Sequence, residues 1–284
     1  IFKGRILFDS HIQSVVEDDN VKGRQYILPG LIDAHVHIES TMCTPLEYSK
    51  MALRYGVVAA VTDPHEIANV CGIEGVRFMI ENAKLSPMKI YCGVPSCVPA
   101  TSFETSGAKL SPRELETLFK SENCTHLSEM MNFPGVLYQD EEVWAKLHAA
   151  QKYGKPVDGH APGLRGEDAK KYIAAGISTD HECFTMDEAL DKLGLGMKIL
   201  IREGSAAKNF EALYPLLDTH TNNIMLCSDD KHPDSLLEGH INQLCARAVA
   251  KGIDKFNVLQ AACINPIDHY KLPTGKMKVG DPAN

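Results

Sequence analysis

The sequence predicts an α/β protein: a TIM-like (β/α)8 barrel with a small β appendage built from both chain ends. Three observations carry that reading. Eight short apolar, β-branched runs recur along the 284 residues, helical stretches separate them, and metal-competent side chains fall at their C-terminal ends. A doubly wound open sheet is the runner-up, because near-continuous apolar strands buried on both faces suit either architecture.

The eight runs, in order, are LIDAHVH (31–37), VVAAVTD (57–63), KIYCGV (89–94), THLSEMM (125–131), KPVDGHA (155–161), GISTDHE (176–182), MKILIRE (197–203) and NIMLCSD (223–229). The intervening helices carry their own punctuation. PLEYSKMALRYG follows Thr44, a candidate cap, places Pro45 at the first helical position and stops at Gly56. SPRELETLFKS opens with Ser111, then Pro112, with Glu114 three residues after the Ser, the spacing of a capping box. DEEVWAKLHAAQKYG is amphipathic and stops at Gly154. Residues 1–28 read as short strands with polar turns, and residues 271–284 as the start of a further strand pair. The expected division is therefore 1–28 partial appendage, 29–270 barrel, and 271–284 the beginning of the appendage's C-terminal part, cut short at Asn284. Ile1 is not an initiator Met, so the natural start is expected upstream.

Composition narrows the function. Hydrophobic residues at 44% and charged residues at 23% permit a sizeable core. The net charge is −8 without a long basic run, which argues against nucleic acid as a partner. Nine cysteines are scattered with no CxxC, and several sit in apolar runs, such as Cys92 and Cys227. Free thiols in a reducing compartment explain that pattern better than a disulfide framework, so a cytoplasmic location is expected. No apolar run approaches ~18 residues and no signal peptide is visible, so no membrane is expected as a partner. No heptad or internal repeat speaks to oligomeric state, and a homo-oligomer stays open.

The strand ends carry the chemistry. His35 and His37 close the first run, one residue apart, so in an extended strand they share a face at about 7 Å along the backbone. Glu129 closes the fourth run, His160 the fifth, His181 the sixth and Asp229 the eighth. Each alone has a bland reading: a satisfied loop imidazole, a Glu paired with an Arg, an Asp capping the helix near Pro233. Together they place four imidazoles and two carboxylates on one rim, where barrel active sites lie. Imidazole and carboxylate without thiolate suit Zn, Mn or Fe. Six such donors suit two ions about 3.5–4 Å apart better than one ion with an open position. Glu129, between the His groups in strand order, is the natural bridge. A water held between two cations ionises near neutral pH and becomes a nucleophile, and Asp229 can take its proton.

Further rim residues are weighed against structural roles. Asp63, His65 and Glu66 end the second run and are candidates for substrate or an additional metal; Asp63-Pro64 also reads as a turn. Arg202, Glu203 and Ser205 end the seventh and are candidates for hydrogen bonds to a substrate, with an Arg202–Glu203 ion pair as the competing reading. Asp230 and His232 follow Asp229 as candidate orienting groups.

The ligand pattern, HxH then single His, His and Asp on later strands, resembles the amidohydrolase superfamily, and LPGLIDAHVH resembles its opening motif. Many members bridge their metals with a carbamylated Lys where this chain has Glu129. TDPHEIANV, PSCVPATSFETSG, SEMMNFPGV, DGHAPGLRG, DHE, IREGSAAKN and SDDKHPD are similar to the bacterial-type adenine deaminase family over about residues 28–272. The C-terminal part such enzymes carry is not present after Asn284. The resemblance implies a metal-dependent hydrolase acting on C–N bonds of cyclic amidines. The reaction would convert adenine and water to hypoxanthine and ammonia in purine salvage, with two divalent ions, Mn or Fe foremost and Zn possible. Carried over by position, His35, His37 and Asp229 would hold the more buried ion, His160 and His181 the second, and Glu129 would bridge. Asp229 would pass the water's proton to the leaving amine, and Glu182 is the candidate for protonating the ring nitrogen. A surface or helix-capping carboxylate is the competing reading of Glu182. Ser96, ending the third run, joins the pocket candidates on the family pattern. The alternative function is a cyclic-amide hydrolase of the same superfamily, dihydroorotase-like or dihydropyrimidinase-like. A catalytically silent barrel would have lost ligands, and all six are present.

Overall fold

The computed structural model describes residues 2–23, 25–101 and 103–283. Ile1, Arg24, Ser102 and Asn284 lie outside the described residues, and with them the outermost positions of the expected appendage and one position of PSCVPATSFETSG. The chain begins with an antiparallel hairpin, β1 (Gly4–Phe8) and β2 (Ile12–Glu17). Its far end returns there: His11 forms an antiparallel bridge with Pro282, and Ile12 N donates to the Asp281 carbonyl at 2.8 Å.

Eight parallel strands follow at the eight apolar runs. They are β3 (Leu31–Val36), β4 (Val57–Thr62), β5 (Lys89–Cys92), β6 (Leu127–Met130), β7 (Val157–Gly159), β8 (Thr179–Asp180), β9 (Lys198–Arg202) and β10 (Ile224–Cys227). β3–β4–β5, β6–β7 and β8–β9–β10 are paired directly. Parallel bridges Val94–Leu127, Val157–Ile177 and Val36–Asp229 join these groups in chain order and return the last to the first. The strands are shorter than the runs because each run continues past its last ladder bond. His37, Asp63, His160 and His181 lie one residue beyond a strand end, and Asp229 two.

Side chains alternate between two apolar environments along the strands, as the period of two requires. Ile199 and Ile201 of β9 and Ile224 and Leu226 of β10 join Tyr48, Leu213, Leu217 and Leu244, whereas Leu200 and Met225 join Ile32, Ala59, Val61 and Tyr270. Burying each Leu or Ile contributes about 1.5–3 kcal/mol.

Most helices start as their local sequence dictates. Ser111 N and Oγ donate to Glu114 Oε2 at 2.7 and 2.8 Å ahead of helix Pro112–Ser121. Asp140 Oδ1 accepts Val143 N at 3.0 Å and caps helix Glu141–Lys152, and Gly154 follows in the left-handed region at φ 61°. Thr44 is a correction. It is extended ahead of helix Pro45–Leu53, but its side chain makes no capping bond. Pro45 brings no N–H, and the next free donor, Leu46 N, is taken at 2.9 Å by Asn82 Oδ1 from helix His65–Ala83. No helix among the described residues is long and apolar enough to cross a membrane.

Three imidazoles are buried away from the strand ends. Burial lowers His126 to about 4, His269 to about 4 and His240 to about 3, from 6.5. Each is neutral when folded and gains a proton on unfolding below about 6.5, so the unfolded chain binds more protons there. Stability is therefore full above about 6.5 and is lost as pH falls toward about 4. The urea midpoint should drop between pH 7 and pH 5. His240→Gln retains an acceptor for the Tyr48 hydroxyl, 3.0 Å from His240 Nε2, and should make that drop shallower; an unchanged slope would contradict the assignment.

Candidate metal centre

The six predicted donors converge. His35 and His37 are almost fully buried, with their Nε2 atoms 3.1 Å apart. His37 Nδ1 lies 3.1 Å from the Asp63 carbonyl, which can only accept, so the proton sits on Nδ1 and leaves Nε2 as a lone-pair donor. Asp229 Oδ1 faces both rings, 3.6 Å from His35 Nε2 and 3.3 Å from His37 Nε2. Asp229 holds φ 54°, a left-handed conformation uncommon for a non-glycine residue. It does not cap the helix Pro233–Glu238, whose N-cap position belongs to His232.

Glu129 lies between two groups. Its Oε2 is 2.8 Å from His160 Nδ1 and 3.0 Å from His181 Nε2, while its Oε1 is 3.6 Å from His37 Nε2 and 3.5 Å from His65 Nδ1. No Arg among the described residues pairs with it. Burial pushes this carboxyl up, but the His160 hydrogen bond and the charges of the close His160 and His181 rings outweigh burial and hold it well below the ordinary Glu value. Asp229 behaves alike: burial raises it, and His35 and His37 pull it far below the Asp range.

The donor atoms fall into overlapping sets, each with all members within 4.8 Å of one another: His35, His181 and Asp229; Glu129, His160 and His181; His37, Asp63, His65 and Glu129; His37, Asp229 and Asp230. The division is less clean than the sequence implies. His35 stacks on His181 with ring centroids 4.3 Å apart, so these two imidazoles border both predicted ion positions. The His160 side chain is 27% exposed and the other five ligand candidates are nearly sealed, so the cage opens on the His160 side.

The donor set fits divalent cations. It combines buried imidazole and carboxylate donors without a thiolate. It also holds polar atoms lacking a protein hydrogen bond: Asp63 Oδ1, and His181 Nε2, which is close to Glu129 but not aligned for a bond. A further acidic set, Asp180, Cys183 and Glu188, has metal-like spacing, but the Lys192 ammonium sits among them, 2.8 Å from both carboxylates.

The remaining candidates separate. Asp63 Oδ2 binds His65 Nδ1 at 3.1 Å. Glu66 accepts Ser40 Oγ at 3.2 Å, and the same hydroxyl donates to Asp230. Burial pushes Glu66 up from its ordinary value. His65 and Glu66 line a cavity of about 290 Å³ with Asn69, Cys97, Ala100, Glu104 and Met131, near the lower size limit of small-molecule sites. Glu182 is buried, neither on the surface nor capping a helix, and Arg202 grips both its oxygens at 2.5 and 2.8 Å. Arg202 also donates to Asp229 Oδ2 and does not pair with Glu203, which turns to Arg247. Ser205 Oγ bonds Ser235 Oγ and the backbone N–H of His232, so it ties two loops together. Ser96 is buried and donates to the Glu129 carbonyl, placing it beneath the bridge and outside the residues lining the cavity.

Several positioning groups left no mark in the sequence. Asp33 accepts from Ser228 N at 2.9 Å and from the Ser228 hydroxyl, which ties the end of β10 to β3 beside Asp229. The buried Tyr172 hydroxyl accepts His160 N at 3.0 Å and donates to Met130 O at 2.7 Å, so it joins the backbone at His160 to that beside Glu129. Asp33 stands within LIDAHVH and signalled itself only as a strand residue, while Tyr172 reads as one more apolar helix position.

The amidohydrolase family model matches residues 26–284. The chain is 56% identical over 284 residues to the adenine deaminase of Methanosarcina mazei, covering all of this chain and 51% of that protein. It is 52% identical to that of Sulfurovum sp. (all of this chain, 53% of the relative) and 50% identical to that of Borreliella burgdorferi (97% and 51%). The chain thus spans about half the length of the curated relatives it matches. Among solved structures, N-acetylglucosamine-6-phosphate deacetylase from Pasteurella multocida superposes with a TM-score of 0.69 at 12% identity, over 100% of this chain and 90% of that one. Beta-aspartyl dipeptidase from Fervidobacterium islandicum superposes at 0.67 and 16% identity, over 99% and 86%. At these identities the likeness shows a shared fold.

Tyr172→Phe removes the hydroxyl that joins His160 N to Met130 O. It should lower unfolding stability by about 1–3 kcal/mol, the cost of leaving buried partners unpaired. Denaturant titration checks the size, and an unchanged midpoint would remove this staple from the account.

Proposed function

We propose, from the premise that the chain belongs to the amidohydrolase family, that it forms the metal-binding part of an adenine deaminase. The observation that carries the proposal is Glu129, which presents one oxygen toward His37 and the other toward His160 and His181. We read the eight strands as a closed (β/α)8 barrel over residues 29–270, supported by the Val36–Asp229 bridge, with residues 1–28 and 271–284 as parts of a β appendage.

His35, His37 and Asp229 would hold one divalent ion, His160 and His181 a second, with Glu129 shared; Mn and Fe are the first candidates and Zn the next. When bound, such a pair supplies a water acidic enough to act as a nucleophile near neutral pH. The residues supply the rest. Asp229 Oδ1 accepts the proton of the attacking water, while Arg202 holds Oδ2 and fixes the carboxylate's rotation. Oxygen adds to the amino-bearing ring carbon, the adjacent ring nitrogen takes a proton, and the proton on Asp229 moves to the amino group. The C–N bond then breaks and the remaining proton of the added oxygen returns to the group that protonated the ring nitrogen, giving hypoxanthine and ammonia.

Glu182 is the sequence candidate for protonating the ring nitrogen. Arg202 already holds both of its oxygens, so neither is free to face a ring nitrogen. Glu66 suits the acid role better, since it lines the cavity and burial favours its protonated form. Glu182 then holds Arg202, and Asp63 orients His65 at the cavity wall. Adenine is the small-molecule partner in this reading.

Protein reconstituted with Mn or Fe should release ammonia from adenine, and chelation should abolish release. Opening of dihydropyrimidine or hydantoin rings without ammonia would favour a cyclic-amide hydrolase. Glu129→Gln should lower turnover by about 10³-fold or more, comparable to losing a main charge-stabilising group. Glu66→Gln should reduce kcat far more than Glu182→Gln if Glu66 is the acid; the opposite ranking would restore Glu182.

A further inference from the structure

Lys192, on helix Met186–Gly194, is buried and makes three bonds, one for each ammonium proton. It donates to Asp180 Oδ2 at 2.8 Å, Glu188 Oε1 at 2.8 Å and the Ala161 carbonyl at 2.7 Å. Asp180 completes the clamp, since its Oδ1 accepts Ala161 N at 2.9 Å. Both polar groups of Ala161 are therefore held by a carboxylate and an ammonium that bind each other. Ala161 follows His160, and Asp180 precedes His181. The same helix takes two more N–H groups of the 160–166 loop: Gly163 N donates to Glu188 Oε1 at 2.8 Å and Gly166 N to Asp191 Oδ2 at 2.7 Å.

We infer that the Lys192–Asp180 pair is a positioning clamp that sets the spacing of His160 and His181, and so governs binding of the second divalent ion. Their ring centroids lie 5.5 Å apart, and His160 is the more exposed of the two. A partly exposed ligand one residue beyond a strand end of three residues has little of its own to hold it. Tyr172 holds the His160 N–H on one side, and the clamp grips the Ala161 peptide on the other, from the helix that follows the His181 strand. Lys192 leaves no room for a metal in the Asp180–Cys183–Glu188 set, so the cluster serves geometry through a fixed internal cation. His35, His37 and Asp229 have their own anchor in Asp33 and Ser228, and only His181 borders both positions through its stacking on His35, so the clamp acts mainly on the ion that His160 would hold.

The inference rests on the two-ion reading, and the test separates them. Apo protein is titrated with Mn²⁺, following bound equivalents and the magnetic coupling between paired ions. The unaltered protein should bind two equivalents; fewer than two would overturn the two-ion reading and the clamp with it. Lys192→Met should weaken one equivalent by about 10- to 100-fold, the range for lost orienting partners, affect the other far less, and abolish the coupling signal. Equal weakening of both equivalents, or of neither, would overturn the clamp while leaving the two-ion reading intact. If Lys192→Met does not fold, Lys192→Gln decides by the same readouts, because its amide keeps a donor in the pocket but cannot grip Asp180, Glu188 and the Ala161 carbonyl together. It should weaken one equivalent far more than the other, and no selective effect would overturn the clamp.

Discussion

Burying Glu129 and Asp229 is the constraint around which the rest of the molecule is arranged. A carboxylate taken out of water without compensation would cost several kcal/mol or would take up a proton. Both stay well below their ordinary values because imidazoles crowd them: His160 and His181 at one Glu129 oxygen, His37 and His65 near the other, His35 and His37 at Asp229. Those imidazoles come from four chain segments, so the compensation exists only when the strands register correctly. The bridge between Val36 and Asp229, which brings the last strand beside the first, is thereby coupled to the electrostatics of the centre.

Precision is delivered through the backbone. Most of the ligand candidates sit just past a strand end, where few ladder bonds remain, such as Asp229 N to the His35 carbonyl at 3.0 Å. Around the centre, buried side chains from elsewhere hold nearby peptide groups: Asp33 holds Ser228 N beside Asp229, Tyr172 holds His160 N and Met130 O, and Ser96 holds the Glu129 carbonyl. These groups fix where a ligand begins and leave its donor atoms free, which suits a site whose donors face one another.

The eight strand positions and the six ligand candidates were legible because both follow local rules. Apolar runs of strand length recur, and the polar residue ending each run stands out against it. What escaped depends on pairs distant in sequence. Asn82 supplies the cap expected from Thr44, and no local pattern links residues 36 positions apart. Lys192 and Tyr172 lie on amphipathic helices, where a buried polar residue looks like any other member of the pattern. Arg202 and Glu203 are adjacent and opposite in charge, yet adjacent strand residues face opposite sides, so they pair with Glu182 and Arg247 instead. Glu182 illustrates the limit well: its position beside His181 was informative, and the partner that occupies its oxygens lies 20 residues away.

The cage is asymmetric, and that asymmetry separates ion binding from recognition. The ligand candidates come from β3, β6, β7, β8 and β10 and the residues just past them, and all except His160 are sealed. The cavity beside them is lined from three other connections: His65, Glu66 and Asn69 after β4, Cys97, Ala100 and Glu104 after β5, and Met131 after β6. Glu129 belongs to the strand that feeds both, and His65 reaches both, since it lines the cavity while its Nδ1 lies 3.5 Å from Glu129 Oε1. Changes to the connections after β4 and β5 can therefore reshape the cavity without touching any of the six ligand candidates, so one set of elements can hold the centre while another is free to vary.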